Sequence, residues 1–471
     1  MRTAIQICGF WKHWGIVNIL LLLCITSCED FLNISPPGSK IPTDVVFQDD
    51  DMAKSAIAGI YINLYASPGF GGGGLQSVLV FGGLSSDELH NNNFDALLKQ
   101  IEDNEIRASN PYLDLFWNSM YKVVYQTNVA LEGLEASNTL TTAVKNQLKG
   151  EALFIRAFCY FYLTNFFGDV PLALTSNYKE NNTLHRTAEL EVYNQIIADL
   201  LTAEDLLGEQ YANNERIRPN KFAATAMLAR VYLYKGDWAR AEDKATSVIT
   251  RTDLFSLLGN LNTVFLANSK EAIWQLRPYD GAAYTNEGYW FSTQQAPTNN
   301  ILTNSVLNAF ESPDDKRKTN WITSATTNST TVYLPFKYKR YLPSGQTDEY
   351  SMVIRLAEIY LIRAEARLNQ SKFSGAVSDI DNIRLRAGLK PFEVVHTDIT
   401  EDSLRLSIEN ERRIEFLTEW AHRWLDIKRW NRSEAILSPV KQGWSIYDSL
   451  YPIPAAEISK NENLKPQNVG Y

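Results

Sequence analysis

The sequence predicts a mainly α-helical chain whose helices stack in antiparallel pairs, with one irregular lobe that contains short strands. Three observations predict it. Long segments place apolar residues at helical spacing, alanines recur where neighbouring helices would touch, and the helical signal lapses for longest over about residues 259–346. With 471 residues and four cysteines, the chain exceeds a minimal domain and is too cysteine-poor for a disulfide-stapled one. Its 54 acidic side chains outnumber its 45 basic ones, the opposite of a nucleic-acid binder's balance, so no nucleic-acid partner is expected. The sequence has no repeated apolar spans of about 20 residues, which a helical membrane transporter needs.

Residues 1–27 read as an address, a lipoprotein signal peptide. Arg2 and Lys12 supply positive charge around the start, and Gly15 to Ile25 is an apolar run too short to span a bilayer comfortably. The run ends in Ile25-Thr26-Ser27-Cys28, which resembles the bacterial lipobox: an aliphatic residue, two small ones, then Cys. Small residues let the peptidase approach, and the Cys28 sulfur would carry a diacylglycerol. Cys24 follows the bulky Leu23 and fits less well. Cys28 is therefore the expected lipidation site, and the mature chain is expected to be tethered to a membrane through it without spanning. Residues 28–48 read as the acylated tether, rich in Pro, Ser and Gly. Residues 49–471 read as the folded domain, with a helical scaffold at 49–258 and 347–430 and the irregular lobe between. Cys159, within the apolar run Leu153 to Phe167, reads as a small buried hydrophobe.

Helical periodicity starts near Asp49, with Met52, Ala56, Ile60 and Leu64 assigned to one face. Residues 67–94, broken by Gly, Ser and Asn, read as a long loop, with Leu75 to Phe81 extended. Further helices are expected at 113–136, 143–167, 188–207, 219–235, 237–250, 351–369, 373–387 and 403–419. Short strands are expected at Ala272 to Leu276 and Thr331 to Tyr338. Leu228, Ala229, Tyr232, Gly236 and Ala241 match the tetratricopeptide spacing, in which small residues let two helices approach while a tyrosine fills the gap. Tyr360, Ala364, Ala376 and Ile380 fit the same frame with Ser371 at the turn, and 150–167 suggests a weaker third copy. Generic helical hairpins are the alternative; either unit stacks into a solenoid-like scaffold.

Sites of chemistry are few. Gly69, Gly71 and Gly74 satisfy G-x-G-x-x-G, but a helix precedes them where a dinucleotide site needs a strand, so no cofactor is expected. The histidines lack metal-ligand spacing, and His90, His185 and His396 read as solvated. Glu411, Glu415 and Glu419 recur every four residues beside Arg412 and Arg413, a pattern of helix ion pairs more than of glycosidase carboxylates. No catalytic residue, metal site or enzymatic activity is assigned.

Aromatic stacking is the remaining chemistry. A pyranose offers an apolar C–H face and a ring of hydroxyls, so its site needs flat rings with amides and carboxylates at the rim. The lobe supplies Tyr284, Tyr289, Trp290 and Trp321 amid Asn286, Glu287, Asn299 and Asn300. The 85–94 loop adds Ser86, Asp87, Glu88, Asn92 and Phe94. Trp290 or Trp321 is the residue expected to stack on a sugar; the alternative for each aromatic is a place in the core of the lobe.

Four blocks resemble one family, the SusD/RagB nutrient-binding lipoproteins of Bacteroidetes outer membranes. They are CEDFLNISPP at 28–37, EALFIRAFCYFYLTNFFGDVPL at 151–172, ENERRIEFLTEWAHRWLDIKRW at 409–430, and the terminal LYPIPAAEISKNENLKPQNVGY. The resemblance implies a SusD-like fold, a lipid anchor at the outer membrane facing the cell exterior, and a non-enzymatic role. In that role the protein captures oligosaccharides and delivers them to a SusC-like TonB-dependent transporter. It also leaves open RagB-like capture of peptides or glycopeptides, or service as a structural lid of the transporter. His422, Arg423, Trp424, Asp426, Arg429 and Trp430 read as a structural corner, with tryptophan bodies buried and polar edges paired.

Overall fold

Asp49 starts the first long helix, α1 (Asp50–Leu64), by accepting from the amides of Asp51 and Met52. The computed structural model describes residues 43–278, 284–291, 300–327, 330–341, 348–395 and 399–471, so Cys28, Asn299 and His396 lie outside the described residues. Thr43–Val46, taken by itself, is one helical turn. The buried stripe of α1 is Ala53, Ile57, Ile60 and Leu64. Met52 is exposed, which corrects the expected face. Steps of four, three and four follow the 3.6-residue turn, whereas uniform steps of four drift off it.

The long loop expected at 67–94 contains two elements, α2 (Val78–Ser85) and β1 (Leu89–Asn91). Leu75 to Phe81 is thus not an extended run. Every residue of α2 is buried, and a helix buried all round has no amphipathic stripe by which to recognise it. There follow α3 (Ala96–Glu102), α4 (Pro111–Ala136), α5 (Thr142–Phe167), β2 (Val170–Pro171), α6 (Tyr178–Asn181), β3 (Arg186–Thr187) and α7 (Glu189–Leu206). Pro111 at the first position of α4 gives up no helical bond, and Asn110 caps it. Residues 150–167 of α5 are almost wholly buried, Cys159 among them, and burial pushes its thiol pKa up. This helix is the central post, packed between α4 and α7.

The stack continues through α8 (Lys221–Tyr234) and α9 (Trp238–Ile249), each helix against the next. Ala229 and Ala241 are fully buried, Tyr232 nearly so, and Gly236 makes the turn at φ +70°. The amide of Asp237 closes that turn on the Tyr232 carbonyl at 2.9 Å. After the lobe the same turn recurs between α12 (Leu356–Leu368) and α13 (Phe373–Arg386). Ser371 takes the left-handed position at φ +58°, and the Lys372 amide bonds the Arg367 carbonyl at 2.8 Å. The two copies share one geometry. Helix α9 packs on α12, which joins them, and α14 (Glu401–Glu415) packs on α12 and α13.

The lobe is built from short pieces. Strand β4 (Ala272–Leu276) pairs antiparallel with β8 (Ser351–Arg355), β5 (Asn300–Leu302) pairs with β1, and β6 (Ile322–Thr327) with β7 (Thr330–Pro335). Small helices lie among them, including α10 (Asn286–Phe291) and α11 (Lys316–Trp321). The helix expected at 351–369 begins instead as strand β8. All five residues of β8 are buried, and so short an apolar run does not show its period. Among the described residues no helix is long and apolar enough to cross a membrane.

A buried lattice of charges joins lobe to helices. Glu411, Glu415 and Glu419 are indeed ion-paired, though their partners are not Arg412 and Arg413. Arg355 at the end of β8 reaches Glu415 at 2.5 Å, Glu419 at 2.8 Å and Glu271 at 3.1 Å. Arg317 of α11 meets Glu411 at 2.7 Å, Arg386 of α13 meets Glu271 and Glu415, and Lys337 meets Glu419. Burial pushes the Glu415 pKa up, but Arg386, Arg355 and Arg317 outweigh it and hold it below the usual carboxylate range. Arg412 instead pairs with Asp426 of the corner helix α15 (His422–Arg429), and Arg413 with Asp87. His422, Arg423, Trp424 and Asp426 are buried, and Arg429 pairs with Glu365 and Asp426.

Removing one member of such a lattice leaves its partners charged and dry. Arg355→Leu is expected to cost about 3–5 kcal/mol of unfolding free energy by urea titration. A loss below about 1 kcal/mol would show that the lattice does not hold the lobe in place.

Candidate functional site

The glycine run after α1 is shaped for close approach. A Cβ on Gly72 would fall 2.4 Å from the Ala66 carbonyl oxygen, and one on Gly73 2.6 Å from the Glu287 carboxyl carbon. One on Gly74 would fall 3.2 Å from Trp290 Nε1. Gly73 also adopts φ +66°, where side chains are strained. The run is therefore a seat for α10 (Asn286–Phe291), and no strand precedes it: α1 does.

Buried hydrogen bonds fix α10 on that seat. Tyr65, just past α1, accepts from the Asn286 amide at 3.1 Å and donates to Glu287 Oε2 at 3.0 Å. The Ser351 hydroxyl of β8 donates to Glu287 Oε1, and Asn286 Nδ2 donates to the Gly72 carbonyl at 2.6 Å. Burial raises the Glu287 pKa, opposed by the bonds from Ser351 and Tyr65. Neither Tyr65 nor Ser351 was singled out in the sequence. A tyrosine ending a helix and a serine opening a strand carry no local mark of a partner more than two hundred or sixty positions away.

With its inner turn fixed, α10 turns aromatic rings outward. Tyr289 is 41% exposed and stacks on Tyr284, with ring centroids 5.4 Å apart and 19° between planes. The half-buried Trp290 meets Tyr289 edge-on at 5.3 Å and 88°. Two near-parallel rings backed by a third form a flat apolar step at the surface. Tyr284, Asn286, Tyr289 and Trp290 are thus brought together as one platform.

The other expected residues are elsewhere. Trp321 is 1% exposed, its Nε1 donates to the Leu261 carbonyl at 3.2 Å, and Phe265 packs against it edge-on. Lys337 and Arg355 lie over its ring at 4.7 and 5.7 Å. It is a core residue roofing the charge lattice, so the expectation that it stacks on a sugar is withdrawn. Asp87 is likewise engaged: Arg423 binds it at 2.7 Å, Arg413 at 2.6 Å and the Ser305 hydroxyl at 2.9 Å. Burial pushes its pKa up, but the two guanidiniums prevail and hold it at about 2. Asp87 is 6% exposed and held by two arginines, and Glu88 is buried too. Asp87 and Ser86 border a cleft of about 670 Å³, where His90, exposed as expected, also meets Glu102 at 2.5 Å. Phe94 is 89% exposed at φ +60°, beyond β1. Among the described residues, no hydrogen bond, ion pair or ring contact joins Asp87, Glu88 or Phe94 to the platform.

Two family models match the chain. One, described as starch-binding associating with outer membrane, matches residues 30–233; the other, the SusD family, matches residues 284–471 and so opens at Tyr284. The SusD-like protein P2 of Formosa agariphila is 29% identical over 514 residues, covering 98% of this chain and 100% of that one. A SusD superfamily structure from Bacteroides vulgatus superposes with a TM-score of 0.77 at 22% identity, covering 90% of this chain and 100% of that one. A laminarin-binding SusD-like protein superposes with a TM-score of 0.74 at 21% identity, with 90% and 100% covered. The stacked helices with an irregular lobe are thus the fold of the SusD superfamily. The chain belongs to the SusD/RagB family.

Glu88 gives the site region a pH signature. Burial, then the Asp87 charge, pushes its pKa from the usual 4.5 up to about 8. Its contribution to stability is full below pH 4.5 and is lost as pH rises through 8. Glu88→Gln, neutral at every pH, is expected to lose less stability than the native protein between about pH 5 and 9 in urea titrations. Parallel stability curves for the two proteins would contradict this.

Proposed function

We propose that this chain is a surface-exposed binding lipoprotein, anchored through Cys28. It captures oligosaccharides on the Tyr284–Tyr289–Trp290 platform and delivers them to a partner TonB-dependent outer-membrane transporter. The observation that carries the reading is the stacked Tyr284–Tyr289 pair at the surface, held by a buried support that costs nothing to reorganise on binding. A sugar's C–H face lies against such rings. The family description as starch-binding and outer-membrane-associated supports the reading, as does a structural relative that binds laminarin. The carboxylates that could have suggested hydrolysis are spent on arginine and lysine.

Isothermal titration of the native protein against laminarin and maltooligosaccharides tests the reading. Tyr289→Ala is expected to weaken binding by about 1–2 kcal/mol, roughly ten-fold or more, while Tyr289→Phe keeps most of the affinity. Equal affinity for the native and Tyr289→Ala proteins would remove the platform from the site.

A further inference from the structure

A second aromatic groove lies on other elements, between α4, the α6 segment and a C-terminal helix, α16 (Ala455–Lys460). The geometry points to a second saccharide site there, taking a neutral one- or two-ring stretch of glycan; it rests on the reading of the protein as an oligosaccharide binder. No element of the Tyr284–Trp290 platform contributes to it.

The floor is one face of α4, where Trp117, Tyr121 and Tyr125 follow at steps of four. Tyr178 of α6 stands on one wall and Glu457 of α16 on the other. Tyr125 and Tyr178 are 51% and 66% exposed, and neither phenol has a hydrogen-bond partner among the described residues. Both rings border the same groove and are open there to a ligand.

The walls are held rigidly. The Tyr121 hydroxyl donates to the Pro171 carbonyl at 2.8 Å, and Trp117 lies 4.8 Å from Tyr121, ring to ring. Asn128, fully buried, donates to the carbonyls of Ala173 at 2.9 Å and Thr175 at 3.1 Å. Asn461 and Asn463 tie the C-terminal wall to the carbonyls of Leu184 and Thr183 at 2.8 and 2.9 Å. The groove therefore exists before a ligand arrives.

Its chemistry selects the ligand class. Glu457 gives one oxygen to Lys460 at 2.7 Å and keeps the other, and the pair leaves the groove without net charge. The exposed side-chain amide of Asn182 has no hydrogen-bond partner among the described residues. Flat rings, a spare carboxylate oxygen and a free amide suit a polyol with an apolar face. A groove without net charge offers an ion of either sign no counter-charge of its own, and a purely apolar ligand would leave the rim unpaired. The volume, about 250 Å³, falls just below that of drug-sized pockets, at roughly 300–1,000 Å³, and so suits a short stretch of chain.

Stoichiometry decides the matter. Titration of the native protein with maltoheptaose and laminarihexaose is expected to give two sites per chain for the sugar that binds. The double variant Tyr125→Ala/Tyr178→Ala, which alters two exposed side chains, should lose one site, weakened ten-fold or more, and keep the Tyr289-dependent site. Tyr289→Ala should keep the groove site. A single site abolished by Tyr289→Ala and unmoved by the double variant overturns the groove and leaves the platform standing. A single site lost only in the double variant upholds the groove and overturns the platform. No binding of either sugar by the native protein overturns both.

Discussion

Glu411 and Glu415 stand one helical turn apart with Glu419 just past the end of α14, and cations reach them from four places: Arg317 of α11, Lys337 just after β7, Arg355 of β8, and Arg384 and Arg386 of α13. Each arginine is dry and answers more than one carboxylate. Charges of this kind bring little net stability compared with apolar packing, but they are intolerant of a wrong partner. They therefore set where the lobe sits on the helices. Trp321 roofs the lattice, and β8, which carries Arg355, also carries Ser351, the residue that fixes Glu287 beneath the platform. Position is thus transmitted from the charge lattice to the surface rings through one short strand.

The platform follows the same economy. Tyr289 and Tyr284 keep an open face because the lower side of α10 is committed to Tyr65, Gly72 and Ser351. The glycines make that possible, since a side chain at Gly72 or Gly73 would strike the Ala66 carbonyl or Glu287. A glycine pattern that resembles a phosphate cradle in one dimension serves here to bring a helix close. What separates the two uses is the element before the run, a helix in place of a strand.

The helices were legible in sequence because most have one buried face. The lipid-signal pattern and the family blocks are local strings and need no fold to be seen. Where reading failed, burial was complete. Helix α2 and strand β8 have no polar face to reveal their period, so one reads as a strand and the other as a helix. Tryptophan gives the same ambiguity. Trp290 and Trp321 both sit in a polar, aromatic-rich stretch, and only the cations over Trp321, contributed from residues 337 and 355, separate a core ring from a surface one. Asp87 reads as a rim carboxylate until Arg413 and Arg423, more than three hundred positions away, are seen to bind it. Tyr289 and Asn286 were legible as candidates because a lobe poor in aliphatic residues has few uses for surface rings.

The central claim is that a saccharide lies on the open face of Tyr289. Fluorine NMR of the native protein carrying 3-fluorotyrosine tests it most directly, with the position 289 signal assigned by substitution and a core tyrosine, Tyr160, as the internal control. Addition of a bound oligosaccharide should shift the Tyr289 signal in a saturable way and leave Tyr160 unmoved. Saturable binding with the Tyr289 signal unchanged would place the ligand elsewhere and contradict the account.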